Sequence, residues 1–497
     1  MEAFELGFFE ETDQATGFPT IKVDFKVGRG DGPLSAEHNA SWTTVLIGRN
    51  GGGKSRTLRA VTSLLLGMHE NRFRPVRPGV TWRLGYSVGK NHYMLEAGPR
   101  RAITVMKNGS AVKVEDAQLP SKVIAASAAA NDKFPIPRRF EVSDDWYYYF
   151  GLRDATGRAS GVAPLLSALE ALSAAEAGDT RRIQAVATVF EMLGYSAVFT
   201  HRYRMGYFTR LGEAESVSSL YENGLFGSYI RNRIDILLRQ DPEILEKLDF
   251  AFSLTKTGRI DGPFVEIEAD FSNGGLGIRS NAKIEFESIN LLRRAGILRL
   301  QSVNVQKLDD GTSLDLREAS SGQISLATTF LGIAASISDG ALVLIDEPEI
   351  SLHPEWQSAY LGLAQRLFSS YVGCHFLVAT HSPSVVAGMS ERNANTVSLD
   401  QQVDQLNEDS NYGGESVDEL LVKEFGVYER GNLFLQKELT RALELASVGE
   451  IDSDAFKKIA EVISPAATEL IDDPIGILVA SLLRAAEEAN RHEEESA

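Results

Sequence analysis

Apolar runs near the start of this chain are set in a characteristic order. The run Thr43–Ile47 is short and apolar, a glycine-rich loop follows it, and a helical pattern then extends from Ser55 to about His69. Apolar residues recur in that last stretch at the spacing of one helix face. The order predicts a strand, a tight loop and a helix, which is the setting that a phosphate-binding loop requires.

Period-two alternation in residues 80–125 predicts an antiparallel meander. The alternating segments are Gly85–Val88, His92–Leu95 and Ala102–Met106, with turn composition at Lys107–Ser110. Strand patterns return at 263–271 and 297–305, whereas residues 160–256 and those from about 415 onward have helical spacing.

These patterns predict an α/β fold in four regions. We expect a mixed sheet with flanking helices and an antiparallel β meander, a helical insertion and a helical C-terminal region. The boundaries are 1–159 for the N-terminal lobe, 160–256 for the insertion, 257–400 for the second lobe and 401–497 for the C-terminal region, which is a candidate docking surface for a partner.

Charge and composition narrow the function classes. The 497 residues carry a formal net charge of −18, which argues against a surface coated with nucleic-acid-binding charge. A local basic patch that contacts nucleic acid remains compatible with this charge. Two groups of arginines form either such a patch or an ordinary solvated surface: Arg72, Arg74, Arg77 and Arg83, and Arg138 with Arg139.

Cysteine content and hydropathy indicate the compartment. The one cysteine, Cys374, excludes an internal disulfide and a cysteine-rich zinc site, and we interpret it as a core thiol. The N-terminus is acidic and unlike a signal peptide, and no apolar run reaches the roughly 18 residues of a membrane span. We expect a cytoplasmic protein without membrane contacts.

The glycine-rich loop has the composition of a nucleotide phosphate site. It consists of Gly48, Arg49, Asn50, Gly51, Gly52, Gly53, Lys54 and Ser55, with Arg56 next on the helix. Glycines let backbone N–H groups point inward, and the helix adds its positive N-terminal end. Lys54 is placed to reach the β- and γ-phosphates of ATP, and Ser55 to hold Mg²⁺. An ordinary glycine turn is the alternative.

Two carboxylates follow a second buried strand. Asp346 and Glu347 come directly after the apolar run at 342–345. A carboxylate at such a strand end can bind Mg²⁺, so Asp346 joins Ser55 as a candidate metal ligand. Glu347 is the candidate that polarises the attacking water. The alternative is a pair of surface acids after a strand.

Further candidates lie near other strand and helix ends. His381 follows the apolar strand pattern Phe376–Thr380 and is a candidate to hydrogen-bond a γ-phosphate, or a structural histidine. His353 is either an interface residue or part of a helix start. Ser320, Ser321, Gly322 and Gln323 precede an apolar helix and form a candidate second anion site, although Ser-Ser-Gly is also common loop composition.

The order of these motifs resembles that of an ABC-type ATPase. Gly48–Ser55 matches the Walker A motif, Ser320–Gln323 the signature, Asp346–Glu347 Walker B, Ser351–Pro354 the D-loop and His381 the switch histidine. The signature departs from the usual Leu-Ser-Gly-Gly-Gln, since it reads Ala-Ser-Ser-Gly-Gln. The strings at 346–354 and 379–383 are similar to the soluble branch that contains SMC-like and OLD-like ATPases.

The resemblance implies an ABC-type P-loop ATPase head that hydrolyses ATP with Mg²⁺. It also implies a homodimer or higher oligomer that closes around two nucleotides, with Ser321 and Gly322 acting on the partner's nucleotide. The residue of the usual glutamine loop is not evident in this sequence. Ser127 and Asn131 are the alternatives that follow the strand ending near Ala125.

A narrower resemblance is to Septu-type anti-phage ATPases and their retron-associated relatives. It is carried by Val123–Pro135 and by Tyr148–Arg153, although we favour core packing over a nucleotide contact for the tyrosines at 147–149. This resemblance implies a separate HNH nuclease as partner. In retron systems it also implies a reverse transcriptase with its RNA–DNA hybrid, and DNA or RNA as a further partner.

A nuclease site within this chain is not expected. An HNH site needs clustered histidines, but the eight here are scattered, and the acids Asp452 and Asp454 follow no apolar strand. The residues after His381 have helical spacing, unlike a Toprim domain. The alternative function is a DNA-repair or chromosome-maintenance ATPase acting directly on DNA, although the insertion lacks the sustained heptads of long coiled-coil arms.

Overall fold

The computed structural model describes most of the chain in segments. These are residues 2–26, 40–48, 51–72, 79–98, 103–136, 146–153, 165, 168, 179–205, 216–257, 264–271, 277–280, 286–389, 393–399, 416–423, 427–429, 431–471 and 473–496. In these segments no helix has the length and apolar character needed to cross a bilayer.

The strands of these segments form three sheets. In chain order they are β1 (Phe4–Asp13), β2 (Pro19–Asp24), β3 (Trp42–Ile47), β4 (Val80–Val88), β5 (Asn91–Ala97), β6 (Ile103–Lys107), β7 (Ser110–Val112), β8 (Val123–Ser127), β9 (Tyr147–Gly151), β10 (Tyr195–Met205), β11 (Phe264–Asp270), β12 (Gly277–Ser280), β13 (Leu298–Lys307), β14 (Ser313–Asp315), β15 (Leu342–Asp346), β16 (His375–Ala379) and β17 (Ala394–Ser398).

Helices surround the sheets and make up the C-terminal region. They are α1 (Lys54–His69), α2 (Thr180–Met192), α3 (Val217–Glu222), α4 (Ser228–Gln240), α5 (Ile244–Thr257), α6 (Phe286–Arg294), α7 (Ser321–Ser336), α8 (Pro354–Leu367), α9 (Pro383–Ala387), α10 (Val417–Lys423), α11 (Leu433–Ser447), α12 (Asp454–Ile463), α13 (Ala466–Glu469) and α14 (Pro474–Ser496). Helices α10–α14 bury a hydrophobic core of their own.

A six-stranded parallel sheet lies between two hydrophobic cores. Its order is β17-β3-β16-β15-β8-β9. Successive side chains of a strand point to opposite faces. On β15, Val343 and Ile345 therefore enter the core that contains α7, while Leu342 and Leu344 enter the core that contains α1. Both faces are buried, which is why β15 is apolar up to Asp346.

The core on the α1 side is completed by the antiparallel meander, of order β2-β1-β4-β5-β6-β7. Leu58, Val61 and Leu64 of α1 lie in this core with residues of β1, β4 and β5. Between β6 and β7, Asn108 and Gly109 have φ of 48° and 83°. Left-handed conformations at both positions are typical of a type I′ hairpin turn, as the turn composition predicts.

A series of buried hydrogen bonds connects the meander to the parallel sheet. The backbone N–H of Leu6 donates to Nδ1 of His375 at 3.0 Å. Nδ1 accepts, so the imidazole proton must be on Nε2, which lies 3.0 Å from the hydroxyl of Thr44 and donates to it. That hydroxyl in turn donates to Oδ1 of Asn395 at 2.8 Å. His375 is thus neutral and structural.

The third sheet, of order β12-β11-β10-β13-β14, is antiparallel and packs on the α7 side. Its strand β10 lies within residues 160–256, where the spacing predicts helices, so this region contains a long strand besides its helices. One mixed sheet is the expectation from the sequence, whereas the parallel and antiparallel strands are divided between separate sheets. The α/β class and the helical C-terminal region are confirmed, and the four region boundaries remain predictions.

Two further elements differ in extent from the sequence patterns. The helical spacing from Tyr229 to Leu248 is divided between α4 and α5, which are separated at Asp241 and Pro242. Proline has no N–H and disfavours helical geometry in the residue before it. Pro242 therefore explains why the helix is interrupted at Asp241. Most of the alanine-rich stretch at 163–177 lies outside the described residues.

Helix α7 approaches β9 closely at Gly332. A Cβ built on Gly332 would lie 2.7 Å from the ring of Phe150. We expect Gly332→Ala to destabilise the protein by about 1–3 kcal/mol, the usual cost of overpacking. In a Phe150→Leu background the cost should shrink, because the smaller side chain makes room. Urea unfolding of the two single variants and the double variant measures this coupling. Equal costs in both backgrounds would contradict the close contact.

Candidate active site

The phosphate-loop residues connect β3 to α1 at the carboxyl edge of the parallel sheet. Gly48 and Gly53 have φ of 140° and 106°, in the region that favours glycine. A Cβ on Gly53 would lie 2.8 Å from Cδ1 of Ile21, so a side chain there would also clash. Arg49 and Asn50 lie outside the described residues. The backbone thus explains these two loop glycines and also Gly51, whose φ is 86°.

Lys54 begins α1 and is buried, with 4% exposure. Its ammonium donates to the carbonyl of Gly48 and lies 3.0 Å from Nδ1 of His381. Gly53 occupies the N-cap position of this 16-residue helix, which has no side-chain cap. Uncapped N–H groups, the helix dipole and a lysine converge here, which is the donor set that a phosphate group requires.

Arg56, a candidate nucleotide contact, lies one turn into α1. Its Nε is 3.5 Å from Oε1 of Glu11, a meander residue whose side chain is 1% exposed. The guanidinium of Arg56 therefore extends toward β1. Its predicted role in nucleotide binding stays a prediction.

Ser55 and Asp346 meet across the site. The strand parity that sends Leu342 and Leu344 toward α1 also sends Asp346 there. The hydroxyl of Ser55 donates to Oδ1 of Asp346 at 3.0 Å. Burial raises the pKa of Asp346 to about 7, and the nearby carboxylates of Glu347, Asp132 and Glu349 add to this, while the Ser55 hydroxyl opposes it. A hydroxyl and a buried carboxylate this close fit Mg²⁺, whose charge would favour the ionised carboxylate.

Glu347 and His381 face each other beside this pair. Oε1 of Glu347 lies 3.6 Å from Nε2 of His381, and the two side chains are 27% and 29% exposed. Glu347 has φ of 51°, which is uncommon for a residue with a side chain, and its N–H donates to the carbonyl of Ala379. Such strained residues cluster at functional sites, and this one is held where water has access.

Glu349 is a further residue of the site, which the sequence patterns did not indicate. Its Oε1 accepts from the backbone N–H of His381 at 2.6 Å, and its Oε2 accepts from the hydroxyl of Thr380 at 2.9 Å. One carboxylate thus holds the start of the loop that carries the histidine. The sequence does show Glu349 as a third acid, two residues after Glu347. Strand periodicity alone does not indicate which residues its carboxylate contacts.

The signature residues lie at the start of α7. Ser320 and Gln323 form a capping box, in which each side chain accepts from the backbone N–H of the other. Ser321 is exposed. A Cβ on Gly322 would lie 2.9 Å from the carbonyl of Ser351, so this helix start packs against the D-loop segment of its own chain. The capping box uses Ser320 and Gln323, which leaves Ser321 exposed for contact with another molecule.

His353 and the candidates for the glutamine loop have different surroundings. His353 is exposed at the N-cap position of α8 and makes no side-chain cap. Ser127 is buried at the end of β8, opposite Asp346 in register, and its hydroxyl accepts from the N–H of Ala129. Asn131 is exposed. Neither alternative for the glutamine loop is decided by these contacts.

The acid next to Asn131 is the one that organises this loop. Asp132 is 3% exposed and accepts from the hydroxyl of Tyr149 at 2.7 Å, from Nε of Arg153 at 3.1 Å and from Nη2 of Arg153 at 2.6 Å. Its Oδ1 also accepts from the N–H of Phe134. These contacts join the loop after β8 to the end of β9. They therefore connect the two sequence stretches Val123–Pro135 and Tyr148–Arg153.

Comparison with known proteins gives matches over part of the chain. Residues 204–387 match the family model described as "AAA domain, putative AbiEii toxin, Type IV TA system". The match covers less than half of the chain, and it includes α7, β15 and His381. The Retron Vc95 probable ATPase of Vibrio cholerae serotype O1 biovar El Tor is 25% identical over 203 residues. That alignment covers 36% of this chain and 39% of the relative.

Solved structures with a distant likeness include the SMC head domain from Thermotoga maritima, with a TM-score of 0.29 and 12% identity over 79% of this chain and 94% of that one. Another is the recombination mediator protein RecF, with a TM-score of 0.31 and 11% identity over 77% of this chain and 94% of that one.

Removing the Glu349 carboxylate should separate catalysis from binding. We expect Glu349→Ala to lower kcat for ATP hydrolysis by about 10-fold or more, because His381 loses the contact that positions its backbone. ATP affinity should change little, since Glu349 accepts hydrogen bonds from Thr380 and His381 and from none of the loop residues 48 and 51–55. Steady-state kinetics and calorimetry measure the two effects. Glu355→Ala, an acid in the first turn of α8, is the matched control.

Proposed function

We propose that this protein is an ABC-type ATPase whose ATP-dependent dimer regulates a separate nuclease in anti-phage defence. The observation that carries the ATPase assignment is the Ser55–Asp346 hydrogen bond of 3.0 Å, which joins the phosphate-loop helix to the strand with the acidic end. Glu347 directly follows β15, and His381 lies two residues after the end of β16. The AAA-type family match supports the same class.

Each residue then has a task in ATP hydrolysis. Backbone N–H groups of the glycine loop, the start of α1 and Lys54 bind the β- and γ-phosphates. Ser55 and Asp346 would hold Mg²⁺, which would neutralise phosphate charge when bound. Glu347 accepts a hydrogen bond from the attacking water and orients it, and His381 hydrogen-bonds the terminal phosphate.

Assembly follows from the exposed start of α7. Ser321 is exposed at the N-terminus of α7, where it can contact a nucleotide bound to a second copy of the chain. A twofold dimer would place each signature on the partner's nucleotide and so complete two equivalent sites. ATP is then the ligand that holds the dimer closed, and hydrolysis opens it.

The defence role is supported by the likeness to the retron ATPase and by the Septu-type strings of the sequence. The alignment with that relative includes well under half of either chain. On this proposal an HNH nuclease is a separate partner, and the C-terminal region of α10–α14 is the surface that docks it. A reverse transcriptase with its RNA–DNA hybrid is a further partner in a retron setting.

A substitution at Glu347 tests the ATPase and its dimer together. We expect Glu347→Gln to bind ATP but to hydrolyse it at least about 100-fold more slowly, because the amide lacks the charge that orients water. With ATP it should accumulate as a dimer in light scattering. Adding Ser321→Arg should abolish that dimer, and Lys54→Ala should abolish ATP binding in calorimetry. Wild-type turnover in Glu347→Gln would move the catalytic role to another residue.

Co-purification tests the partner. The chain, expressed with the product of its neighbouring gene, should purify as a complex whose nuclease activity changes between ATP-bound and ATP-free states. The matched control is Lys54→Ala, in which the nuclease should no longer respond to ATP. Nuclease activity that is the same with and without ATP would contradict regulation by this subunit, while leaving its ATPase activity intact.

A further inference from the structure

A group of arginines lies at one end of the antiparallel sheet that contains β10. Arg204 of β10 and Arg299 of β13 are directly opposite each other in register, so both side chains are on the same face. Both are exposed. Arg233 of α4 is the third member. We call Arg204, Arg233 and Arg299 the arginine cluster.

Tyr229 holds two members of the arginine cluster together. The guanidinium carbons of Arg299 and Arg233 lie 5.2 Å and 5.4 Å from the centre of its ring. Arg233 also donates to the hydroxyl of Tyr229 at 2.7 Å and to the carbonyl of Arg294 at 2.6 Å. These acceptors are neutral, so they orient the guanidinium without cancelling its charge.

Carboxylates do not neutralise the arginine cluster. Within the segments that the structure describes, none of its three guanidinium groups forms an ion pair. The neighbouring Glu266 pairs with Arg202 instead, at 3.4 Å. Like charges directly opposite each other on a sheet reduce stability. An arrangement that costs stability and exposes charge is typical of a binding site rather than of a structural element.

The elements around the cluster, apart from β11 with its acids Glu266, Glu268 and Asp270, are basic in an otherwise acidic chain. Together β10, β13, α4 and α6 contain nine lysines and arginines and two acids. The whole chain has 50 basic and 68 acidic side chains. The positive field is therefore local, and it is strongest for an anion that spans several arginines at once.

We propose that the arginine cluster binds the phosphate backbone of a nucleic acid. Nucleic acid carries closely spaced phosphates, about one per 3.4 Å of axis on each strand, which suits guanidinium groups held side by side. Arginine also pairs with phosphate through two parallel hydrogen bonds. Exposed contacts of this kind position the polymer and do not read its sequence. The site is separate from the residues assigned to ATP hydrolysis.

Charge reversal at the cluster tests the proposal. The probes are about 30-nucleotide fluorescein-labelled single-stranded DNA, RNA of the same sequence, and the DNA duplex. Fluorescence anisotropy in about 50–250 mM KCl gives affinity and its salt dependence. Arg204→Glu/Arg299→Glu should weaken binding of the preferred probe by at least about 10-fold. The slope of log affinity against log salt should become flatter by about 1.8 for duplex or 1.4 for a single strand.

A matched control removes the effect of net charge. Lys457→Glu/Lys458→Glu changes two exposed residues of α12 by the same total charge and should stay within about twofold of wild type. Arg204→Gln/Arg299→Gln should also weaken binding, while its Tm should equal or exceed that of wild type because like charges are removed. Basal ATP hydrolysis should be unchanged in all three variants.

Several outcomes would overturn the assignment. These are no binding of any probe by the wild-type protein in about 50 mM KCl, equal weakening in the control, or a salt slope that the reversal leaves unchanged. Displacement of the bound probe by polyglutamate at equal charge concentration would show a general polyanion surface and would also reject a nucleic-acid site. None of these results would bear on the ATPase assignment, since hydrolysis is measured separately.

Discussion

The alignment of strand ends in the parallel sheet is the constraint on which the rest of the site depends. Six neighbouring strands run in one direction and in close register, so the residues that follow β3, β16 and β15 emerge at one edge. The Ser55–Asp346 hydrogen bond then joins residues 291 positions apart in the sequence. A shift of one residue in β15 would turn Asp346 to the α7 side and remove it from Ser55.

The same edge explains why strained and buried polar groups are tolerated there. Glu347 has left-handed backbone geometry, and Lys54 and Asp346 are ionisable residues in buried positions. Each is fixed by neighbours that the sheet supplies, such as the carbonyls of Ala379 and Gly48. Strain and burial together keep the reacting groups oriented before any ligand binds, which reduces the reorganisation that catalysis would otherwise require.

Sequence patterns predicted the parts of this site that are encoded locally. The strand, loop and helix around Gly48–Ser55 can be recognised from the hydrophobic period and the glycine positions within a short stretch of sequence. The same holds for the buried apolar run that ends in Asp346 and Glu347. The strand β10 was not predicted, because its period-two pattern lies among helical segments. The Asp132–Arg153 ion pair and the hydrogen bonds from Thr380 and His381 to Glu349 were also not predicted. Such side-chain contacts arise only when separate elements are packed together.

The position of β3 has a consequence for synthesis on the ribosome. Its two neighbours, β16 and β17, are both translated more than three hundred residues later. Until then the phosphate loop is attached to a strand with both edges unpaired, which is a template for incorrect pairing between nascent chains. The nucleotide pocket therefore cannot form cotranslationally from the N-terminal lobe alone, and premature termination before β16 would release an aggregation-prone fragment instead of a partly active enzyme.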